Sequence, residues 1–265
     1  MELKISHQTH YRYSAPVSYA LQKLRLRPLP NVLQTVPDWS IDIDGGQIEA
    51  SYKDHYGNHV DLVSVTPGAT EVSVRASGTV VTEPGTGVLG KVYGRAPLWH
   101  FLEPTGPTTP GDTVRDLART VSDSDDTLDG LHSLSAEVLK AVPYTLGVTN
   151  SQTTAEEALK TGGGVCQDHA QIFAAAARVA GVPARYVSGY LMMNDRIDQD
   201  ASHAWVEAYL DTLGWVGFDV SNGYSPDERY VRIATGRDAR DASPIEGIRV
   251  GAADETLVVS LQVQQ

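Results

Sequence analysis

The chain contains one cysteine, Cys166, placed where its thiol could act as a nucleophile. Three glycines, Gly162 to Gly164, precede it, and an alanine-rich run that predicts a helix follows it. The N-terminus of a helix stabilises negative charge, so a thiol in the first turn is favoured as a thiolate. A lone cysteine is also commonly a small buried apolar residue, and this segment alone leaves that alternative open.

A histidine and an aspartate further along the chain are the partners that such a nucleophile needs. His203 opens the segment SHAWVEAYL, and Asp219 lies near the end of the next segment, GWVGFDV. If these are antiparallel strands joined by a turn at Leu213 and Gly214, the two side chains could lie opposite each other. His203 would take the thiol proton, and Asp219 would fix its tautomer and stabilise the imidazolium. The predicted catalytic residues are therefore Cys166, His203 and Asp219.

Nearby residues are alternative or auxiliary candidates. His169 is a rival base, although a helix beginning at Cys166 would direct it along the helix flank. Asp168 is typical of a charge that complements a helix N-terminus. Trp205 could form a wall of the cleft or be a core aromatic residue, and its position two residues after His203 fits both. The pairs His7 with His10 and His55 with His59 lack further ligands at metal spacing, so we interpret them as surface strand positions and predict no metal and no cofactor.

The segments before residue 83 predict an antiparallel β domain of the sandwich type, because no helical period is present. Within it, Ile41 and Ile43 precede a Gly-Gly turn and Ile48 follows, which predicts a β-hairpin. Residues 83–112 contain five prolines and six glycines, and this composition predicts an irregular segment. Its aromatic residues indicate packing against the rest of the protein; they include Tyr93, Trp99 and Phe101.

Helical patterns follow the irregular segment, and strand patterns return after residue 183. Asp112 is a predicted N-cap, and residues 127–142 carry leucines and valines at helical spacing. Thr153 or Thr154, ahead of Glu156 and Glu157, fits a capping box. Helices followed by strands, without a βαβ rhythm, predict an α+β fold. We divide the chain into a β domain at 1–110, a catalytic core at 111–225 and a C-terminal β extension at 226–265 that packs on either.

Four blocks of the chain resemble the transglutaminase-like superfamily, specifically bacterial members with a β-rich N-terminal region. They are GGGVCQDHA, PARYVSGYL, SHAWVEAYL and GWVGFDVSNG. The resemblance implies a papain-like triad of Cys166, His203 and Asp219, on an α+β core whose nucleophile helix packs on an antiparallel sheet. Relatives use a side chain upstream of the cysteine as a second oxyanion donor, which here would be Tyr144 or Gln152.

Such a triad predicts acyl transfer through a thioester, and leaves the acceptor open. Hydrolysis by a peptidase or amidase is favoured, because nothing in the chain resembles the added domains of animal crosslinking enzymes. Transfer to an amine, as in transglutaminase crosslinking, is the second hypothesis. The third is a non-catalytic binding or scaffold protein on the same fold, although an intact Cys, His and Asp set argues against it.

Composition restricts the partners of the protein. The net charge is −12, and residues 84–225 contribute −8 of it with 9 basic and 17 acidic side chains. Nucleic-acid binding needs a basic face, so we expect a protein, peptide or amide substrate and no nucleic acid. A single cysteine, the lack of a signal-peptide pattern and the lack of a membrane-length apolar run predict a cytoplasmic protein with no membrane association.

Overall fold

The computed structural model describes residues 1–92, 96–250 and 254–265. These residues form four α-helices and fourteen strands, and the strands make three antiparallel sheets. The α+β fold class is confirmed, with a β region before a core of helices and sheet. Within the described ranges, no helix is both long and apolar enough to cross a membrane.

Two of the sheets form a β-sandwich. In spatial order, the first contains β3 (Gln34–Asp44), β6 (Glu71–Thr82), β1 (Glu2–Tyr13), β14 (Glu255–Gln264) and β9 (Asp198–Gln199). The second contains β13 (Ile245–Val250), β2 (Tyr19–Leu24), β5 (His59–Val65) and β4 (Gly46–Lys53). Alternate residues of the strands face inward, and Leu24 and Val63 of the second sheet pack with Val74 of the first.

The predicted hairpin at the Gly-Gly turn is wrong. β3 pairs with β6 and β4 pairs with β5, so the two strands flanking the turn belong to different sheets. Gly45 adopts a positive φ of 80°, and a Cβ there would collide with the Glu71 carbonyl oxygen. The turn signal was correct, but the chain turns from one layer of the sandwich to the other because β3 packs its isoleucines against the sandwich core.

The third sheet carries the helices on one face. In spatial order it contains β12 (Tyr230–Gly236), β8 (Ala184–Leu191), β10 (His203–Leu210), β11 (Gly214–Phe218) and β7 (Val88–Gly90). The helices are α1 (Asp112–Ser122), α2 (Thr127–Ala141), α3 (Ala155–Thr161) and α4 (Cys166–Val179). The alanines of α4 and Ala204, Val206 and Ala208 of β10 belong to one buried cluster. Small side chains allow close contact, so α4 packs directly on the sheet, as predicted.

The third sheet also packs on the sandwich, through residues of β8 and β12. Tyr190, Val231 and Ile233 of the core form a buried cluster with Leu3 and Val80 of the sandwich. The strands after residue 225 are distributed over all three sheets, since β12, β13 and β14 each join a different one. β7, from before residue 110, pairs with β11 of the core. The division at residues 110 and 225 stays a prediction. β7 pairs with β11 across the first of these boundaries, and β12 pairs with β8 across the second.

Two local predictions differ from the structure. Asp112 makes no side-chain cap: Gly111 precedes α1, and Glu156 accepts hydrogen bonds from the backbone of Thr113 and Val114 at 3.2 and 3.0 Å. The irregular segment contains β7 and a short 3-10 helix, Leu98–Phe101. Of its aromatic residues, Phe101 is buried, Trp99 is 62% exposed, and Tyr93 lies outside the described residues. A capping box is present as predicted, and of the two alternatives it is Thr154 with Glu157 that forms it.

Candidate active site

Cys166 is the first residue of α4, and the preceding glycines allow that position. Gly162 has a φ of 70° and ends α3 in the left-handed conformation. A Cβ on Gly164 would lie 2.8 Å from Asp168 Oδ2. That oxygen accepts hydrogen bonds from the Val165 backbone at 2.8 Å and from Thr149 Oγ1 at 2.7 Å. Asp168 therefore fixes the turn before Cys166 and complements the helix N-terminus, in line with the sequence interpretation.

The far end of α4 is fixed by a buried arginine. Arg178 donates to the carbonyl oxygens of Phe101 at 3.0 Å and Ala184 at 2.9 Å, and to Thr108 Oγ1 at 2.8 Å. A cation at a helix C-terminus also interacts favourably with the helix dipole. With Asp168 at one end and Arg178 at the other, the helix has little freedom to shift the thiol.

His203 and Asp219 come together across two neighbouring strands. His203 is the first residue of β10, and Asp219 directly follows β11. The register pairs Val206 with Phe218, so one further step places Asp219 opposite Trp205 and diagonal to His203. His203 Nε2 and Asp219 Oδ2 are nevertheless 2.6 Å apart, and Asp219 is fully buried. The predicted pair is adjacent, although the two residues are diagonal rather than directly opposite.

Three side chains converge on one oxygen of Asp219. Besides His203, Tyr230 donates its hydroxyl to Oδ2 at 2.6 Å and Asn222 donates its amide at 2.7 Å. Burial would raise the pKa of Asp219, but these hydrogen bonds outweigh burial and hold it below its ordinary 3.8. The carboxylate is therefore ionised and oriented. Sequence reasoning missed both residues: Asn222 has a cue in the turn SNG, whereas nothing in the spacing pointed to Tyr230.

The Cys166 side chain lies near His203, close enough to contribute to its pKa shift. Because Nε2 is engaged with Asp219, Nδ1 is the ring nitrogen left for the thiol. Burial would lower the pKa of His203, but the interactions with Asp219 and Cys166 outweigh burial and raise it above 6.5. Acquiring the thiol proton is therefore favourable for this imidazole. The structure brings Cys166, His203 and Asp219 together, with a hydrogen bond between the last two.

Trp205 supports the imidazole from behind. Its ring is stacked near His203, with centroids 6.4 Å apart and an angle of 27°, and it meets Tyr230 edge-on at 5.4 Å. Trp205 is only 2% exposed and belongs to a buried cluster. A Cβ on Gly189 would lie 2.5 Å from its ring, so a glycine is needed opposite His203. The burial of Trp205 fits its interpretation as a core aromatic residue, although its ring also packs near His203.

His169 is engaged elsewhere. It is 1% exposed, its Nε2 lies 2.6 Å from the Val142 carbonyl oxygen, and its Nδ1 lies 2.7 Å from Ser221 Oγ. A carbonyl only accepts, so Nε2 carries the proton and Nδ1 accepts from the serine. Burial lowers the pKa of His169, which keeps this imidazole neutral. His169, the alternative base, therefore connects α4 to the loops that contain Val142 and Ser221.

The two candidates for a second oxyanion donor lie on the loop before α3. Tyr144 is 52% exposed, and its ring meets that of His169 edge-on, with the centroids 6.2 Å apart. Its backbone forms an isolated parallel β-bridge with Gly164. Burial, with the charges of Cys166 and Asp219, raises the pKa of Tyr144, so its hydroxyl stays protonated. Gln152 is exposed, and its backbone N–H donates to Asn150 Oδ1 at 2.8 Å. The choice between them stays a prediction.

The four histidines of the two pairs considered as metal ligands lie in the β region. His7 is buried rather than on the surface, because its Nδ1 lies 2.9 Å from the Tyr190 hydroxyl at the contact between sandwich and core. His59 lies 3.2 Å from the buried Asp61. Within residues 1–92, 96–250 and 254–265, no three His, Cys, Asp or Glu side chains are grouped so that they could hold a metal ion.

Relatives of the chain are found by sequence and by structure. An uncharacterized protein of Mycobacterium leprae is 27% identical over 274 residues, covering 98% of each chain. An uncharacterized protein of Mycobacterium tuberculosis is 28% identical over 287 residues, covering 98% of this chain and 91% of its own. The crystal structure of "a Putative Cysteine Protease from Cytophaga hutchinsonii" matches with a TM-score of 0.79 and 25% identity, covering 100% of this chain and 91% of that one.

Two family models account for most of the chain. Residues 3–81 match the bacterial transglutaminase-like N-terminal region, which corresponds to the sandwich strands β1 to β6. Residues 115–220 match the transglutaminase-like superfamily, and this range contains Cys166, His203 and Asp219. The chain therefore belongs to the transglutaminase-like superfamily, with a bacterial-type N-terminal region ahead of its core.

Proposed function

We propose that the protein is a peptidase or amidase that cleaves its substrate through a thioester on Cys166. The observation that carries the proposal is the 2.6 Å hydrogen bond between His203 and the buried Asp219, beside a thiol on the first residue of a helix. Nucleophile, base and orienting carboxylate are the three parts that covalent acyl transfer needs. An acyl-transfer site of this kind also agrees with the family.

The reaction begins with attack of Cys166 Sγ on the substrate carbonyl carbon. His203 holds the thiol proton and delivers it to the leaving amine, so the C–N bond breaks as the thioester forms. Backbone amides in the first turn of α4, with Tyr144 or Gln152, stabilise the oxyanion. Water, deprotonated by His203, then attacks the thioester and releases the acid and the free thiol. Asp219 stays ionised and stabilises the imidazolium at each stage.

Hydrolysis is the proposed outcome, and the substrate class is a protein, peptide or small amide. Transfer to an amine differs only in the second step, since the amine replaces water as the group that attacks the thioester. The cytoplasmic location stays a prediction. Product analysis separates the two reactions: a glutamine-containing peptide incubated with and without added amine yields, by mass spectrometry, either free acid in both samples or an amine adduct in one.

The thiol is tested by alkylation with iodoacetamide as a function of pH. If His203 supports a thiolate, wild-type protein reacts well below the ordinary thiol pKa of about 8.5, and His203→Ala shifts this profile upward. His10→Ala, on β1 of the sandwich, is the matched control and should leave the profile unchanged. An ordinary thiol profile that His203→Ala does not alter would contradict the proposal. Equal inactivity of wild type and Cys166→Ala on a broad amide library would favour the binding-protein hypothesis.

A further inference from the structure

A second concave site lies between the sandwich and the face of the third sheet opposite α4. This interface cavity has a volume of about 490 Å³, within the usual range for small-molecule sites. The sandwich contributes Arg27, Lys53 and Trp39, and the third sheet contributes Arg185 and Arg232. Cys166, His203 and Asp219 are not among the residues that line it.

The charge of the interface cavity is opposite to that of the protein. Four arginines and lysines line it, and the described lining residues include no Asp or Glu. Two carboxylates lie behind them: Asp61 pairs with Arg27, and Glu207 pairs with both Arg185 and Arg232. Four cations against two carboxylates leave two positive charges in excess, in a chain whose net charge is −12.

The buried arginines are only partly compensated. Arg185 Nε lies 2.7 Å from Glu207 Oε2, and Arg232 Nη2 donates to the other oxygen of the same carboxylate. Two further buried nitrogens of Arg232, Nε and Nη1, have no hydrogen-bond partner among the described residues. Burial, together with the charge of Arg232, lowers the pKa of Arg185 to about 10. Unpaired buried N–H groups on a cation are costly, so an additional anion would stabilise this arrangement.

The rest of the cavity wall offers apolar contact. Pro28, Leu29 and Leu89 line it with the Trp39 ring, whose buried Nε1 also lacks a hydrogen-bond partner in the part of the chain that the structure describes. Tyr56 also lines the cavity, and its hydroxyl donates to Asp241. The charge of that carboxylate is already compensated by Arg237, 3.4 Å away. The cavity therefore combines an excess of positive charge with an aromatic and aliphatic wall.

We propose that the interface cavity binds a small organic anion, with a phosphate or carboxylate head on Arg232 and an apolar body against Trp39. Lys53 is exposed, so the cavity reaches solvent beside it and the head can be drawn in electrostatically. Guanidinium groups bind both kinds of head through charge-assisted hydrogen bonds. The site is separate from the acyl-transfer site, and a failure of either proposal leaves the other standing.

Isothermal titration calorimetry with phenyl phosphate tests the proposal on the full chain. Saturable binding to one site is expected, weakened about tenfold in Arg232→Gln, because a hydrogen bond to a charged group contributes about 1.5 kcal/mol or more. Lys53→Gln should weaken binding by a smaller factor. The matched control Arg119→Gln, which removes an exposed charge on α1, and Cys166→Ala should bind as wild type does.

Further ligands define the chemistry of the head and the body. Benzoate in place of phenyl phosphate shows which head is preferred, and inorganic phosphate alone should bind more weakly than phenyl phosphate because it lacks the ring. Benzyl alcohol should not bind measurably. Equal binding of benzyl alcohol, equal weakening by Arg119→Gln, or no saturable binding of any of the three anions would overturn the proposal. Lys53→Gln carries the test if Arg232→Gln does not fold.

Discussion

Two buried carboxylates on adjacent strands of the third sheet show how different partners give different roles. Asp219 follows β11 and Glu207 lies on β10, and they are 0% and 1% exposed. Asp219 binds a histidine, a tyrosine and an asparagine, none of which carries a permanent charge. Glu207 binds the two guanidinium groups of Arg185 and Arg232, which do not release protons in proteins.

The difference lies in whether the partner can exchange a proton. His203 can be neutral or charged, so the pair of His203 and Asp219 suits a reaction in which the imidazole takes up a proton and later releases it. Glu207 is held ionised, its pKa lowered to about 2 by the two arginines against the effect of burial. Burial and short hydrogen bonds therefore do not identify a reactive carboxylate. A titratable partner next to a nucleophile does.

The largest effect on activity is expected from Asp219→Asn. The amide keeps the shape but removes the charge that stabilises the imidazolium, and it disfavours the tautomer that accepts the thiol proton. A loss of kcat of about 10²–10⁴-fold follows from the behaviour of such triads. Initial rates on an amide substrate measure it, and the fraction of folded protein is checked by circular dichroism. Retention of more than a tenth of the wild-type rate would remove Asp219 from the mechanism.

Glu207→Gln is expected to act on stability instead. It leaves two buried guanidinium groups without a counter-charge, and breaking a buried ion pair in this way costs about 3–5 kcal/mol of unfolding free energy. Urea unfolding of both variants measures the contrast. Asp219→Asn should lose less, because His203 can become neutral when the carboxylate is removed. If Asp219→Asn proves the less stable of the two, the comparison fails.

Tyr230→Phe refines the comparison by removing one donor from Asp219 without changing any charge. The lost hydrogen bond to a carboxylate is expected to lower kcat about tenfold, with KM nearly unchanged, because Tyr230 acts through its hydrogen bond to Asp219. Tyr190→Phe is the matched control: it removes a buried hydroxyl of the same sheet that binds His7 instead. A similar loss of kcat in both variants would indicate a general effect of the sheet.

The two carboxylates also show what could be predicted from the sequence. Cys166, His203 and Asp219 lie in local patterns, a glycine-preceded helix and two alternating strands, so their types and order were recognisable. Glu207 lies in the same block as His203, but its two arginines come from β8 and β12, and only the folded sheet brings them together. Tyr230 lies on β12, 11 residues after Asp219, and likewise reaches its partner only in the folded sheet. The hairpin at Gly45 failed for a related reason, since a local turn signal does not specify which strands pair.

The smallest expected effect is a difference in how the unfolding free energy depends on pH at the two carboxylate sites. The pKa of His203 is raised above 6.5 in the folded protein, so its stabilisation is complete below pH 6.5 and is lost as the pH rises through the folded value. The pKa of Glu207 is lowered to about 2, so its stabilisation is present above pH 4.5 and is lost only as the pH falls toward 2. Between pH 6.5 and 9, the gap in unfolding free energy between wild type and His203→Gln should therefore shrink. The gap between wild type and Glu207→Gln should stay constant, and urea unfolding at several pH values measures both. A His203 gap that widens with pH would mean that the imidazole is neutral in the folded protein, and that Asp219 differs from Glu207 in geometry alone.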